Sequence, residues 1–205
     1  MTLSVQAGHI DEIRVMAGNI RIKVCDDAAA VAKEAAAMFD EQIRANPASV
    51  IGLATGSTPE ATYAELARRH REDGLSLKGI TTFNLDEYWG LGGDHDQSYR
   101  YFMNDRLFKH VDTLPWNTNV LNGNARFADL ECAAFEQKIL SVGGVDNWLL
   151  GIGGNGHIAF NEPGSGVDSR TRIVSLTPET IESNSDGRFF SDASEVPRCA
   201  LSAGI

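Results

Sequence analysis

The chain has 205 residues, 42% hydrophobic and 22% charged, the make-up of one globular domain spanning residues 1–205. No apolar run nears the roughly 20 residues that cross a bilayer, and residues 1–8 lack the basic-then-apolar form of a signal peptide, which argues against a membrane protein and for a cytoplasmic one. The formal net charge of −10 argues against a nucleic-acid surface but leaves room for a small local site that binds phosphate.

Residues 20–25 (IRIKVC) alternate and predict a first strand. Asp26 and Asp27 are placed to cap the alanine-rich segment 28–45, a helix. Pro47 and Ala48 lead into a buried strand at 49–53. Residues 59–71 predict an amphipathic helix that closes near Gly74, and 80–85 (ITTFNL) predict a third strand. Residues 99–108 and 128–142 predict helices; Phe102, Met103, Leu107 and Phe108 have helical spacing and are core candidates. Residues 145–152 predict a short buried strand and 172–176 another, and Thr177 or Pro178 opens a last helix. Strands alternating with helices imply right-handed βαβ units. The fold class is therefore α/β, an open, mostly parallel sheet with helices on both faces, Rossmann-like. Ligands of such sheets lie outside the carboxyl ends of the strands, and three polar loops of this chain fall there.

Other residues carry no chemistry of their own. Cys25, Cys132 and Cys199 are far apart, odd in number and without C-x-x-C spacing, so neither a disulfide framework nor a zinc site is suggested. His9, His70, His95 and His110 have no metal-binding spacing and read as surface or helix-end residues. Arg68, Arg69 and Arg71 read as a solvated helix C-terminus, where the dipole favours cations. No metal and no cofactor is expected.

The first loop is Thr55-Gly56-Ser57-Thr58-Pro59. It follows a strand and opens a helix, with Thr58 suited to the N-cap and Pro59 to the first helical position. Backbone N–H groups at a helix start, with hydroxyls beside them, make an anion site. The phosphate-loop and dinucleotide glycine motifs are absent, so a phosphate monoester fits better than a nucleotide. The plain alternative is an ordinary strand-to-helix turn. The second loop holds two adjacent carboxylates, Asp86 and Glu87, followed by Tyr88 and Trp89. Neighbouring residues point in different directions, so the two acids have different jobs. One partly withdrawn from water would have a raised pKa, useful for moving protons. The alternative is a structural acid with packed aromatics. The third loop runs from Gly151 through Gly153, Gly154, Asn155 and Gly156 to His157, with Glu162 five residues further on, before a Pro-Gly turn. Such glycines let backbone approach a ligand, and a carboxylate near an imidazole fixes its tautomer. The alternative is a glycine-rich turn with a solvated histidine.

Together the loops resemble the glucosamine/galactosamine-6-phosphate isomerase family, and within it the glucosamine-6-phosphate deaminases. The matching pieces are Thr55-Gly-Ser-Thr-Pro59, Phe83-Asn-Leu-Asp-Glu-Tyr88 with Gly90-Leu91, Ser98-Tyr99, Leu121-Asn-Gly-Asn124, the run from Gly151 to Pro163, Ser169-Arg-Thr-Arg172 and Arg188-Phe-Phe190. They are collinear from about residue 20 to the end. Relatives that hydrolyse 6-phosphogluconolactone share the fold and the phosphate loop but differ after the acid pair and after the glycine-histidine step; Tyr88 and Asn161-Glu162-Pro163 favour the deaminase.

The resemblance implies the substrate D-glucosamine 6-phosphate and its conversion to fructose 6-phosphate and ammonia. It implies that Asp86 is the acid–base that moves a proton between C2 and C1, and that His157 is the ring-opening base. Glu162 and Asn155 match its supporting partners; where some members have aspartate, Asn155 supplies no charge and can only orient. Thr55, Gly56, Ser57 and Thr58 match the phosphate loop. Arg188 matches a phosphate-binding arginine, after two extra residues, Asp186 and Gly187. Arg172 lies near where some members bind an N-acetylated sugar-phosphate activator at a subunit boundary. That regulation is not carried over, and a homo-oligomer is left open. The family continues past the position of Ile205 into further strand and helix, with a phosphate-holding lysine there, so the chain is expected to lack the family's C-terminal part. The alternatives are a galactosamine-6-phosphate deaminase/isomerase, more remotely a 6-phosphogluconolactonase, and a sugar-phosphate sensor that binds without turnover.

Overall fold

The computed structural model describes residues 13–14, 21–185 and 189–205. His9, Ile20, Asp186, Gly187 and Arg188 lie outside the described residues. The elements in chain order are β1 (Ile13–Arg14), β2 (Arg21–Ile22), α1 (Ala28–Ala45), β3 (Val50–Leu53), α2 (Glu60–Asp73), β4 (Thr81–Asn84), β5 (Asp86–Tyr88), α3 (Tyr99–Arg106), β6 (Thr118–Asn119), α4 (Ala128–Ser141), β7 (Asn147–Trp148), β8 (Arg172–Ser175), α5 (Pro178–Asn184) and β9 (Cys199–Ser202).

Four strands form a parallel sheet in the order β6-β4-β3-β7, as βαβ connections require. Helices cover both faces. Ile51 and Leu53 of β3 pack with Phe39 and Ile43 of α1 and Tyr63 and Leu66 of α2. Val50, on the alternate face, packs with Phe83 of β4 and with Cys132 and Phe135 of α4; the two phenyl rings meet edge to face at 5.4 Å. A strand buried on both faces must be apolar throughout, which is why β3 reads as a continuous hydrophobic run. Asp27 caps α1 by accepting the Ala30 N–H at 2.7 Å. Met103 and Leu107 are buried in the same core, with Phe102 and Phe108 packed against it.

A second, antiparallel sheet of three strands, β5-β9-β8, was not foreseen in the sequence. The predicted strand 80–85 stops at Asn84; Leu85 still donates to the Leu53 carbonyl at 3.3 Å, and the chain then pairs Asp86–Tyr88 with β9 instead. The acid pair therefore sits on a strand of its own rather than in a loop. The strand at 172 is antiparallel, outside the βαβ series. The predicted strand 145–152 shrinks to two residues. Leu149 makes the last bond to Gly52 at 2.9 Å, and the glycines that follow leave the sheet, with Leu150 and Ile152 exposed. Strand 20–25 is reduced to Arg21–Ile22, paired antiparallel with β1. The arginines at the end of α2 are not simply solvated. Arg68 bonds Glu65, Glu72 and Asp73, and Arg69 joins Glu65 to Asp40 of α1.

Candidate active site

The 55–58 loop leaves β3 and enters α2. Its start is pinned by the buried Tyr63 hydroxyl, which donates to the Ala54 carbonyl. Pro59, at φ −77° and already α-helical, takes the cap position, and no side chain caps the helix. This corrects the predicted cap at Thr58: the helix opens one residue later than expected, with Pro59, its φ fixed near the helical value and no N–H to pair, in the cap position itself. Thr58 is thus not consumed in capping, and Ser57 and Thr58 are exposed beside the positive end of a 14-residue helix.

The two acids of β5 differ, as adjacent strand residues must. Glu87 is 1% exposed and accepts four hydrogen bonds, from Tyr88 N–H, Tyr99 N–H, the Ser98 hydroxyl and Arg100 N–H, at 2.7–3.1 Å. It satisfies the orphan N–H groups at the start of α3. Burial pushes its pKa up, and those donors hold it back. Asp86 is 7% exposed, and no hydrogen bond to its carboxylate is found among the described residues. Burial, and then the neighbouring charge of Glu87, push its pKa from 3.8 to about 8.

The third loop is a tight backbone turn closed by Gly153 N–H to His157 O at 2.8 Å and Gly156 N–H to Gly153 O at 2.9 Å. Gly156 sits at φ +89°, in the region that favours glycine. Gly153 is required for a different reason: a Cβ there would lie 2.2 Å from His157 Nε2, so the imidazole rests on bare backbone. His157 Nδ1 lies 3.4 Å from Glu162 Oε2, an ion contact rather than a hydrogen bond, and is otherwise without a partner among the described residues. Asn155 Nδ2 donates to the same Oε2 at 2.6 Å, while its Oδ1 accepts the His157 backbone N–H at 3.1 Å. Glu162 Oε1 accepts from the Thr180 hydroxyl at 2.6 Å and from Thr177 at 3.4 Å. Burial raises the Glu162 pKa, but the bonds from Thr180 and Asn155 and the charge of His157 outweigh it and leave the pKa lowered.

These pieces meet. One cavity of about 340 Å³ is lined by Thr55, Gly56, Ser57, Thr58, Asp86 and His157, a size suited to a small ligand. Asn155 and Glu162 stand behind the imidazole and do not line it. Several lining residues have no role assigned from the sequence, although Tyr99 and Phe160 lie within the matching pieces. Tyr99 and Phe160 stack at 6.1 Å to form an apolar wall, and Thr180, Ser183 and Asn184 enter from α5. The Thr177-Pro178 pair announced the start of that helix but not its aim. Ser202 was missed altogether: its hydroxyl accepts the Phe160 N–H at 3.1 Å and ties the histidine loop to β9.

Residues 26–182 match a family model described as glucosamine-6-phosphate isomerases/6-phosphogluconolactonase. The chain belongs to this family. Among its curated members, glucosamine-6-phosphate deaminase 1 of Giardia intestinalis is 52% identical over 188 residues, covering 91% of this chain and 69% of that protein. A solved monomeric glucosamine-6-phosphate deaminase superposes with a TM-score of 0.85 at 45% identity, covering 88% of this chain and 74% of the other. A 6-phosphogluconolactonase from Thermotoga maritima shares the fold, with a TM-score of 0.64 at 18% identity. The α/β architecture read from the sequence is that of these structures. Among the described residues no helix is long and apolar enough to cross a membrane.

Proposed function

We propose that this chain is a glucosamine-6-phosphate deaminase: D-glucosamine 6-phosphate and water give D-fructose 6-phosphate and ammonia. The observation that carries the reading is the meeting of Asp86, His157 and the 55–58 loop around one cavity, in a chain 52% identical to a deaminase of that name. The substrate phosphate lies against the 55–58 loop, where α2 offers N–H groups and its dipole; Arg188 is assigned to the same phosphate from the resemblance alone.

In this reading His157 takes the anomeric hydroxyl proton and returns one to the ring oxygen, opening the pyranose. Glu162, ionised and held, faces Nδ1, and Asn155 holds the loop without adding charge. Asp86 then removes the C2 proton. The C–H electron pair forms the C1–C2 double bond of an enolamine while the C1 carbonyl π pair moves to O1, which takes a proton from the substrate ammonium. The Asp86 carboxyl, whose proton exchanges with solvent, then protonates C1. The resulting imine at C2 adds water and expels ammonia. A carboxylate with a pKa near 8 is a far stronger base than an ordinary one, and the amino group of the substrate, when protonated, favours its ionised form. Every group in the scheme comes from a single chain, so a partner subunit is not needed for the chemistry. The cytoplasm, where sugar phosphates are made and consumed, is the expected location.

The test is a coupled assay for ammonia and fructose 6-phosphate on glucosamine 6-phosphate and its galactosamine epimer. Ammonia from the first substrate is expected. Hydrolysis of 6-phosphogluconolactone with no ammonia from either amino sugar would replace this reading with the lactonase. Asp86→Asn is expected to abolish solvent-deuterium incorporation at the reacting carbons; undiminished exchange would remove Asp86 from the role of base.

A further inference from the structure

The end of a glutamate side chain rotates freely about its last torsion unless both oxygens are held. In Glu162 both are. Asn155 Nδ2 holds Oε2, and the Thr180 hydroxyl holds Oε1, each at 2.6 Å. The two tethers are unequal. Asn155 is exposed, on the glycine loop that carries His157 itself. Thr180 is 4% exposed, in the first turn of α5. Thr177 fixes that turn by accepting the Thr180 N–H at 3.3 Å, and its hydroxyl shares its one proton between Thr180 Oγ1 at 3.1 Å and Glu162 Oε1 at 3.4 Å, so the Thr180 proton points at Glu162. At its other end α5 is tied to the acid strand, where Asn184 Nδ2 donates to the Tyr88 hydroxyl at 2.9 Å. Thr180, with a longer contact from Thr177 at 3.4 Å beside it, thus tethers Glu162 from a support independent of the histidine loop.

We propose that Thr180 is a positioning residue: by holding Oε1 it fixes the plane of the Glu162 carboxylate, so that Oε2 faces His157 Nδ1 and the imidazole keeps its proton there. Nε2, which lies over the cavity-lining Gly153, is then left with a free lone pair. The inference rests on His157 being the ring-opening base. Among the described residues, other charged groups near this pair do not compete for it. Glu179 and Glu182 of α5 are exposed, and Arg172 of β8 is engaged by Asn161 and Ser165. Asp86 reaches the same cavity from β5.

The test compares Thr180→Val, which keeps the shape and loses the hydroxyl, with Thr180→Ser, which keeps the hydroxyl. For Thr180→Val, kcat is expected to fall about tenfold with KM within about twofold, the effect of losing one hydrogen bond to a charged group. The acid limb of the kcat profile should move to higher pH, because Glu162 loses a donor that keeps its pKa low. Thr180→Ser should return both to near the wild-type values. The ¹⁵N spectrum of the His157 ring, which needs no turnover, should report the Nδ1–H tautomer in wild type and Thr180→Ser and its loss in Thr180→Val. An Nε2–H tautomer in the wild-type protein overturns the proposal even if Thr180→Val does not fold. So does a folded Thr180→Val with wild-type tautomer and acid limb. A wild-type chain that releases no ammonia refutes the deaminase reading instead, and the ring spectrum still decides Thr180.

Discussion

Asp86 makes the folded chain less stable as pH rises, and Asp86→Asn should remove that dependence. Its carboxyl titrates at 3.8 in an open chain and at about 8 in the fold, where burial and Glu87 oppose ionisation. Well below pH 3.8 it is protonated in both states and costs nothing. Between these two values the unfolded chain has released the proton and the folded chain has kept it. The native state then binds more protons, so stability declines with pH. The slope is about 1.4 kcal/mol per pH unit. The loss reaches about 4 kcal/mol at pH 7 and levels off near 6 kcal/mol above pH 8, a large share of an ordinary folding free energy of roughly 5–15 kcal/mol. The assay is urea denaturation of wild type and Asp86→Asn at each pH from 4 to 8. Glu87, Glu162 and His157 are common to both proteins, so the difference between the two curves isolates Asp86. That difference should widen toward high pH by several kcal/mol in favour of the variant, while turnover falls by about 10²–10⁴. Curves that run parallel from pH 4 to 8 would refute the raised pKa and, with it, the reason this carboxylate is a strong base.

Gly153→Ala should leave the fold intact and displace the imidazole, because the new Cβ would lie within 2.4 Å of three ring atoms. Turnover is expected to fall about 10²-fold with little change in the thermal midpoint; wild-type turnover would mean the ring position is not critical. Glu87→Gln should act on stability instead. Three of its four partners are backbone N–H groups that can only donate, so an amide NH₂ must face at least one of them. A loss of about 2–4 kcal/mol in urea denaturation is expected, and an unchanged midpoint would remove Glu87 from the capping of α3.

How far the sequence reveals the site depends on the range of each signal. Caps, glycines and short apolar runs act within a few residues. The Asp27 cap, the buried β3 run and the Gly156 turn were therefore all readable where they stand. Two of the three polar stretches, 55–58 and 151–157, could likewise be placed in loops at strand ends from local pattern; the acid pair, expected in a third loop, lies on β5 instead. Which carboxylate of the acid pair caps a helix and which faces the cavity could not be read. That division depends on Ser98, Tyr99 and Arg100, eleven to thirteen residues further along. Thr180 is eighteen residues from Glu162, and Ser202 is forty-two from Phe160. Neither contact has a local signature. The cap of α2 departs from the local pattern by one residue: a threonine before a proline is a compatible cap and first-turn pair, yet Pro59 itself takes the cap position.

The strand that local pattern missed, β9, is the one that sets the spacing of the site. Asp86 pairs with Ser202 in the antiparallel ladder, and the Ala203 N–H donates to the Leu85 carbonyl at 2.7 Å. From the same two residues, the Ser202 hydroxyl takes the Phe160 N–H and the Ala203 carbonyl takes Asn161 Nδ2 at 2.7 Å. The acid strand and the histidine loop are thus fastened to adjacent rungs of one ladder, although they come from segments some seventy residues apart. A parallel sheet alone would leave their separation to the glycine run after β7, which leaves the sheet after Leu149. Tying both to a buried strand anchors the segment that follows the imidazole, at Phe160 and Asn161, and in the proposed reading this holds acid and imidazole at a fixed spacing. The departure of the chain from β4 at Leu85, which looks like an interruption of the predicted strand, is what makes that shared anchor available.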